Sequence, residues 1–501
     1  LQGTGVGGES IKDAYAWIQI LVRLLMRAFF RRVEVAGLGN VPQDGGGLLV
    51  AWHPNGLIDP GLILSQFNRR VVFGARHGLF SYPLLGHLLR AVGTVPIYRA
   101  QDAKGGRNAD PEARRAANRK SLEALAQRIV GGNYSALFPE GDSHDESDVQ
   151  DFKTGAARLY YGARRLVLEG KPVPVIIPVG LYYDDKRVFR SSALVAFYPP
   201  LQLPEALDVT PASDPDSPEV HTLCKELTEY LEVELREATF ATDSWRLHHL
   251  IRRARRLILA ERAARSGSRY EGETLGERIV AFAKIRQGYQ FFAENDPEGK
   301  AELEQAVEEY DSDLRALGLQ DEHLDHGPGF PTWIAVLLGL QMVGVFVFLP
   351  VLVFFGYLVN LPTAGIVIGL ARVLAKKRKD EATIKLLVGA IAFPLTWAAV
   401  GVLAALGVWE LRVFFPRVPD TPTLAGLSVA LLGAIGGAAG IRYWRFARDV
   451  ARAVRVRLTR RRFRLSVARL RQRRRALHDR LMEVAAMAEV PTRETTGPAS
   501  P

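Results

Sequence analysis

Ala51-Trp-His-Pro-Asn-Gly-Leu-Ile-Asp-Pro60 ends an apolar run, Leu48–Trp52, on a histidine and carries the chain through a Pro-Asn-Gly turn to an aspartate. The run reads as a strand, Pro54–Gly56 as the turn that stops it, and Asp59 as a residue at a helix start. A strand–turn–helix path of this length brings Asp59 back towards the His53 imidazole. A carboxylate bonded to one ring nitrogen fixes the tautomer and leaves the other free to take a proton. His53 and Asp59 are therefore read as the base and its orienter, the catalytic half of a triad that lacks a protein nucleophile. The same spacing also suits a hydrogen bond that only stabilises a turn.

Working outward, RVEVAGLGNVPQDGGGLLVAW (residues 32–52) reads as strand, turn and strand. Further strand signals are VVFGA (71–75), TVPIY (94–98), SALFP (135–139), VPVIIPVGLYY (173–183) and ALVAFY (193–198). Helical runs at 110–130 and 155–169 separate several of them. This alternation predicts an α/β domain, a mixed sheet flanked by helices, over residues 36–205. Two more strand ends carry chemistry. Gly93-Thr-Val-Pro-Ile-Tyr-Arg99 sets an arginine just past a strand, suited to a bidentate grip on phosphate. Leu137-Phe-Pro-Glu-Gly-Asp-Ser-His144 ends another strand with an acid and a glycine that lets backbone approach a ligand. Taken singly, each also fits a solvated loop.

The ordered set His53…Asp59, Gly93…Arg99, Phe138-Pro-Glu-Gly141 and Val175-Ile-Ile-Pro-Val179 resembles the four-block pattern of the glycerolipid acyltransferase superfamily. Within it the chain is most similar to the fungal-type glycerol-3-phosphate/dihydroxyacetone-phosphate acyltransferases. That group is similar in its five residues between His and Asp, where the commoner spacing is four, and in Phe138-Pro-Glu-Gly-Asp-Ser-His-Asp145. Phe152-Lys-Thr-Gly-Ala-Ala157, Val179-Gly-Leu-Tyr182 and Phe189-Arg-Ser191 extend the likeness, which covers most of residues 14–410. One departure separates it from lysophosphatidate acyltransferases. Those follow Glu-Gly with Thr-Arg, whereas Ser143 and His144 stand here, so phosphate would rely on Arg99 and Lys153.

The resemblance implies acyl transfer directly from an acyl-coenzyme A or acyl-carrier-protein thioester to the sn-1 hydroxyl of glycerol 3-phosphate or dihydroxyacetone phosphate. In that reading His53 takes the hydroxyl proton and Asp59 steadies the imidazolium. No cofactor and no metal are called for. Backbone N–H groups near Gly141 are candidates for the oxyanion, and Glu140 for contact with acceptor hydroxyls. Asn55 is read as a turn residue or a substrate contact. Pro178 reads as acyl-pocket wall or core, and His144 is left open. Lysophosphatidate (sn-2) acylation and a non-catalytic membrane scaffold are the alternatives.

Outside this domain, composition divides the 501 residues, whose net charge is +11. Residues 11–35 are expected to form an amphipathic helix lying in the membrane interface. Arg23 and Arg27 within residues 14–30, and the lack of a small-residue cleavage site after them, argue against a secretory leader. Residues 219–330 read as a charged helical module, and 331–445 as a transmembrane region. Its segments 333–358, 361–375, 384–409 and 423–441 are expected to make four crossings. Four crossings, or two re-entrant hairpins, return the Lys376–Lys379 cluster and the tail to the side of the catalytic domain, taken as cytoplasmic. Residues 446–501 read as an arginine-rich cytoplasmic tail. Between Arg442 and Arg480 stand 16 arginines against Asp449 and Asp479, a pattern suited to anionic lipid or to charge balance. No nucleic-acid-binding signature accompanies them. Gly3–Gly8 formally match a dinucleotide fingerprint, but no strand precedes them. The lone Cys224 excludes a disulfide framework and paired-thiol chemistry.

Overall fold

The computed structural model describes residues 6–99, 110–144, 149–183, 186, 188–212, 214–238, 245–268, 275–325, 332–375, 381–415, 417 and 419–487. The acyltransferase-like part runs α1 (Val6–Phe29), β1 (Arg32–Ala36), β2 (Gly47–Ala51), α2 (Ile58–Gln66), β3 (Val71–Arg76) and α3 (Pro83–Ala91). It continues through β4 (Val95–Ile97), α4 (Pro111–Val130), β5 (Tyr134–Leu137), α5 (Gly155–Arg165), β6 (Val175–Tyr183), β7 (Ser192–Phe197) and α6 (Pro218–Ala238). The seven strands lie in the order β1-β7-β6-β2-β5-β3-β4. Every neighbouring pair is parallel except β6 with β7, so the expected mixed sheet is present.

Every residue of β2 is buried, because both faces of the sheet are covered, and a strand in that position reads as unbroken apolar sequence. On one face Met26 and Phe29 of α1, Phe30 just after it, and Leu62 and Ile63 of α2 pack on Leu49, Ile177 and Val179. On the other, Leu125, Ile129, Tyr160, Cys224 and Leu227 pack on Leu48, Val50 and Ile176. Two domain boundaries change accordingly. The first helix is not solely an interfacial element, since its inner side belongs to the sheet core while Trp17, Ile20, Leu21 and Leu24 point outward. Helix α6 leaves the charged module and closes the second face, with Cys224 in its core. Burial there pushes the Cys224 thiol up.

The module that remains is α7 (Trp245–Ser266), α8 (Leu275–Asn295) and α9 (Pro297–Ala316). Its core is completed by the C-terminus: Val467, Leu470 and Leu477 join Leu257, Val307, Tyr310 and Leu314. The membrane region between comprises α10 (Thr332–Val343), a π-helical turn (Gly344–Phe348), α11 (Leu349–Leu374), α12 (Glu381–Phe414) and α13 (Pro422–Arg462). Helix α14 (Arg464–Met487) follows.

The described residues hold three helices long and apolar enough to cross a bilayer, Val353–Leu374, Glu381–Phe414 and Pro422–Val456, and not the four expected. The segment 361–375 is no separate crossing, because it continues α11. Contacts show how α11 runs. Before Asn360 it follows α13, Val345 on Ala447 and Val450 and Gly356 against Gly436. After Asn360 it follows α12, Thr363 bonding Thr396 at 2.8 Å and Val367 lying beside Gly389. Helices α12 and α13 are antiparallel, pairing Trp397 with Gly433 and Gly401 with Gly426. Both arms of α11 therefore leave Asn360 towards the same end of the bundle. The run doubles back at Asn360-Leu361-Pro362, where proline removes a helical N–H and crowds the preceding turn. Hairpin, α12 and α13 together return the chain to the side on which it started. Lys376–Lys379 lie outside the described residues.

Asn360 locks this fold-back. Its Nδ2 donates to Gly356 O (2.9 Å) and Gly433 O (2.8 Å), and its Oδ1 accepts from Trp397 Nε1 (2.9 Å). Side-chain hydrogen bonds between membrane helices contribute roughly 0.6–1.7 kcal/mol each. Asn360→Ala is expected to lower the thermal stability of the detergent-solubilised chain; an unchanged melting temperature would show that apolar packing alone holds the turn.

The arginine-rich C-terminus is not a free tail. Arg474 is 1% exposed and binds Glu261 (2.9 Å) and Asp325 (2.7 Å), while Arg473 reaches Asp313 (3.0 Å) and Glu309. The stretch 464–487 thus balances the acids of the helical module. Residues 488–501 lie outside the described residues.

Candidate active site

Strands β2, β3, β4, β5 and β6 are mutually parallel, so their carboxyl ends share one edge of the sheet, where ligands of open α/β folds gather. His53, Arg99, Phe138–His144 and Tyr183–Lys186 all follow strand ends on that edge. The His53 ring stacks on Phe138, centroids 4.1 Å apart. Its Nδ1 lies 2.8 Å from Asp59 Oδ2. The ring is 18% exposed, and among the described residues Nε2 has no hydrogen-bond partner. The imidazole is therefore anchored on one side and open on the other.

Asp59, fully buried in the first turn of α2, has both oxygens engaged, as a buried carboxylate requires. Oδ2 also accepts from the Asn55 N–H at 2.7 Å, and Oδ1 accepts from the Tyr183 hydroxyl. Burial, and then the Asp59 charge, push the Tyr183 phenol well above its ordinary range, so it stays a donor. Tyr183 was missed in the sequence. The available signal was that β6 ends beside β2, which places its last residue against the His53 turn. Tyr183→Phe removes a bond to a charged group, worth about 1.5–3 kcal/mol. The expected result is a lower kcat at unchanged acceptor KM, because Asp59 is fully buried and its oxygens are engaged by His53, Asn55 and Tyr183. A raised KM with normal kcat would contradict that assignment.

Glu140 has a different place from the one expected. Its side chain is 1% exposed. Oε2 accepts from the His53 N–H (2.8 Å), while Oε1 accepts from the Gln150 N–H (3.0 Å) and faces His144 Nε2 (2.7 Å). It ties the end of β5 to the end of β2, with both oxygens already engaged within the protein. His144 closes the same tie, its N–H donating to His53 O at 3.1 Å. Asn55 is buried, donating from Nδ2 to Lys186 O (2.9 Å), while its Oδ1 is buried without a partner. Lys186, also missed, donates to Pro54 O (3.0 Å) and His144 O (3.3 Å) and pins the turn from outside.

Gly141 sits in the left-handed region (φ 74°), and a Cβ there would fall 2.6 Å from Lys153 Nζ. Its N–H donates to Phe138 O at 3.0 Å, so that group is committed to the turn rather than open to an oxyanion. Arg99 Nη1 donates to Gly141 O (3.0 Å) and lies 3.3 Å from Asp142. Arg99 and Lys153 thus meet at one glycine. Among the described residues no carboxylate pairs with the Lys153 ammonium. Ser143 is buried, its N–H donating to Asp142 Oδ1 (2.9 Å). Pro178 is a core position: it is buried within β6 opposite Val50, away from the strand end.

The membrane region reaches this edge directly. Ala382 and Leu386, in the first turns of α12, pack into the core that holds α1 and α2. A Cβ on Gly56, in the His53 turn, would lie 3.0 Å from Thr383 Oγ1. The site therefore opens beside apolar helices.

Comparison with known proteins agrees with this geometry. Residues 32–182 match the family model described as Acyltransferase. Glycerol-3-phosphate O-acyltransferase 1 of Saccharomyces cerevisiae is 22% identical over 77% of this chain and 60% of its own length. Glycerol-3-phosphate O-acyltransferase 2 of the same yeast is 21% identical over 38% of this chain and 39% of its own. The chain thus spans about 60% or less of the length of these relatives. The 1-acyl-sn-glycerophosphate (LPA) acyltransferase of Thermotoga maritima superposes with a TM-score of 0.31 at 19% identity, over 46% of this chain and 84% of that one, too weakly to carry an argument. Residues 32–182 thus match an acyltransferase domain, in a chain that over 77% of its length is similar to a fungal glycerol-3-phosphate acyltransferase.

Proposed function

We propose that this chain transfers a fatty acyl group from a thioester donor to the sn-1 hydroxyl of glycerol 3-phosphate or dihydroxyacetone phosphate. The observation that carries the reading is His53, held by Asp59 through Nδ1 with Nε2 open, on the same sheet edge as Arg99 and Lys153. The acceptor oxygen attacks the thioester carbonyl while its proton passes to Nε2. The carbon–sulfur bond then breaks, and the thiolate leaves with the proton returned by the imidazolium. A thiolate is a good leaving group, so no protein nucleophile is required. Arg99 and Lys153 hold the acceptor phosphate, the first through a planar fork and the second as a point charge. The acyl chain lies along α12 and the outward apolar side of α1. The names of the yeast relatives favour glycerol 3-phosphate as acceptor. The basic sequence run 376–379 and the returning hairpin favour a cytoplasmic catalytic face.

The test offers labelled acyl-coenzyme A and acyl-carrier protein to the membrane-expressed chain with glycerol 3-phosphate, dihydroxyacetone phosphate or lysophosphatidate. Label on either of the first two acceptors supports the reading. Label on lysophosphatidate alone moves the enzyme to sn-2 acylation, and no transfer with any pair refutes catalysis.

A further inference from the structure

Arg31 and Arg190 meet between the end of α1 and the start of β7, and the charges of Arg442 and Arg445, just past the apolar run of α13, act on Arg190. Arg442 and Arg445 follow Ile441, the last residue of that stretch, beside the exposed Trp444. Arg31 lies between α1 and β1, and its N–H donates to Ser191 O at 2.8 Å. Arg190 precedes β7 and is the only described non-glycine residue in the left-handed region (φ 65°). Its Nη1 donates to the carbonyls of Arg27 (2.9 Å), Ala28 (3.3 Å) and Phe30 (3.3 Å), which fixes the guanidinium at the end of α1. Its Nε is buried with no partner. Among the described residues, no carboxylate pairs with any of the four.

We propose that Arg31, Arg190, Arg442 and Arg445 form a binding site for the phosphate of an anionic phospholipid headgroup. Guanidinium forks match phosphate oxygens in pairs. Like charges brought together without a counter-ion repel, and a bound anion removes that repulsion. The electrostatics agree: desolvation, then the charges of Arg445, Arg442 and Arg31, hold Arg190 below its ordinary range. The position favours the lipid source, because Arg442 directly follows the apolar run 423–441 within α13, with the exposed Trp444 beside it.

The full chain in mild detergent would be titrated with phosphatidylglycerol or phosphatidylcholine of identical acyl chains and examined by native mass spectrometry. Phosphatidylglycerol is expected to be retained at roughly ten-fold lower concentration. The preference should be lost in Arg442→Gln/Arg445→Gln and largely kept in the corresponding lysine pair, at unchanged melting temperature. If the glutamine pair melts lower, Arg31→Gln, on a separate element, carries the same comparison. Equal retention of both lipids, or an unchanged preference in these variants, would overturn the proposal. Displacement of phosphatidylglycerol by millimolar inorganic phosphate would overturn the headgroup assignment in favour of a soluble anion. None of these readouts depends on acyl transfer.

Discussion

His53→Ala is expected to lower kcat by roughly 10²–10⁴-fold, the usual range for loss of a positioned general base, with little change in acceptor KM. The split follows from the geometry. His53 Nδ1 is committed to Asp59, whereas Arg99 and Lys153, the cations proposed to hold phosphate, sit on the loops after β4 and β5. The variant keeps the Glu140 bond, which uses the His53 backbone N–H and not the ring. It also keeps the bonds from Asn55 and Tyr183 to Asp59. The turn should therefore stay in place, and the measurement is initial rate against acceptor concentration with a matched melting curve. Asp59→Asn added to His53→Ala should cause little further loss, because the carboxylate acts through the ring it holds. A double variant much slower than the single one would give Asp59 a role of its own.

The second large effect concerns stability. Arg474→Met is expected to destabilise the helical module by about 3–5 kcal/mol, the range for removing one partner of a buried ion pair. Arg474 and Glu261 are each 1% exposed, and the substitution strands the Glu261 carboxylate in the protein interior. Arg474 Nη1 also donates to Asp321 O at 2.9 Å, so a carbonyl of the same module loses its donor. Protease sensitivity of the 464–487 segment, together with denaturant midpoints, would read the effect. Adding Glu261→Leu should restore much of the loss, since it removes the stranded charge. If Arg474→Met alone unfolds like the parent chain, the pair contributes nothing to holding α14.

The sheet was legible because its strands are short apolar runs stopped by glycine, proline or asparagine, and each of the seven signals corresponds to a strand. His53 and Asp59 were legible for a local reason: five residues of chain separate them, so a turn suffices to join them. Tyr183 and Lys186 were not, because they reach the His53 turn across strand pairing some 130 residues away in sequence, and nothing in their own neighbourhood marks it. Glu140 shows the opposite failure. Its motif was visible, but whether a carboxylate faces substrate or backbone depends on the strand beside it. The membrane count failed at Asn360-Leu361-Pro362, where hydropathy separates two apolar segments without revealing that the chain turns there. The C-terminal arginines were read from charge alone. Their acidic partners lie more than 140 residues earlier, on helices whose packing no local pattern reveals.

The pairing of α14 with α7 and α9 sets an order of assembly. The module's core needs residues from both before and after the apolar region, so the membrane segments are an insertion within one soluble helical unit. During synthesis the amino-terminal parts fold first, and the sheet can close once α6 has emerged. Helices α7–α9 must then wait, with their apolar side and the Glu261 carboxylate uncovered, until hairpin, α12 and α13 have entered the bilayer. Only correct insertion brings α14 back to the side on which they wait. A chain threaded the wrong way would leave that small bundle with an unfinished core, because α14 supplies part of it.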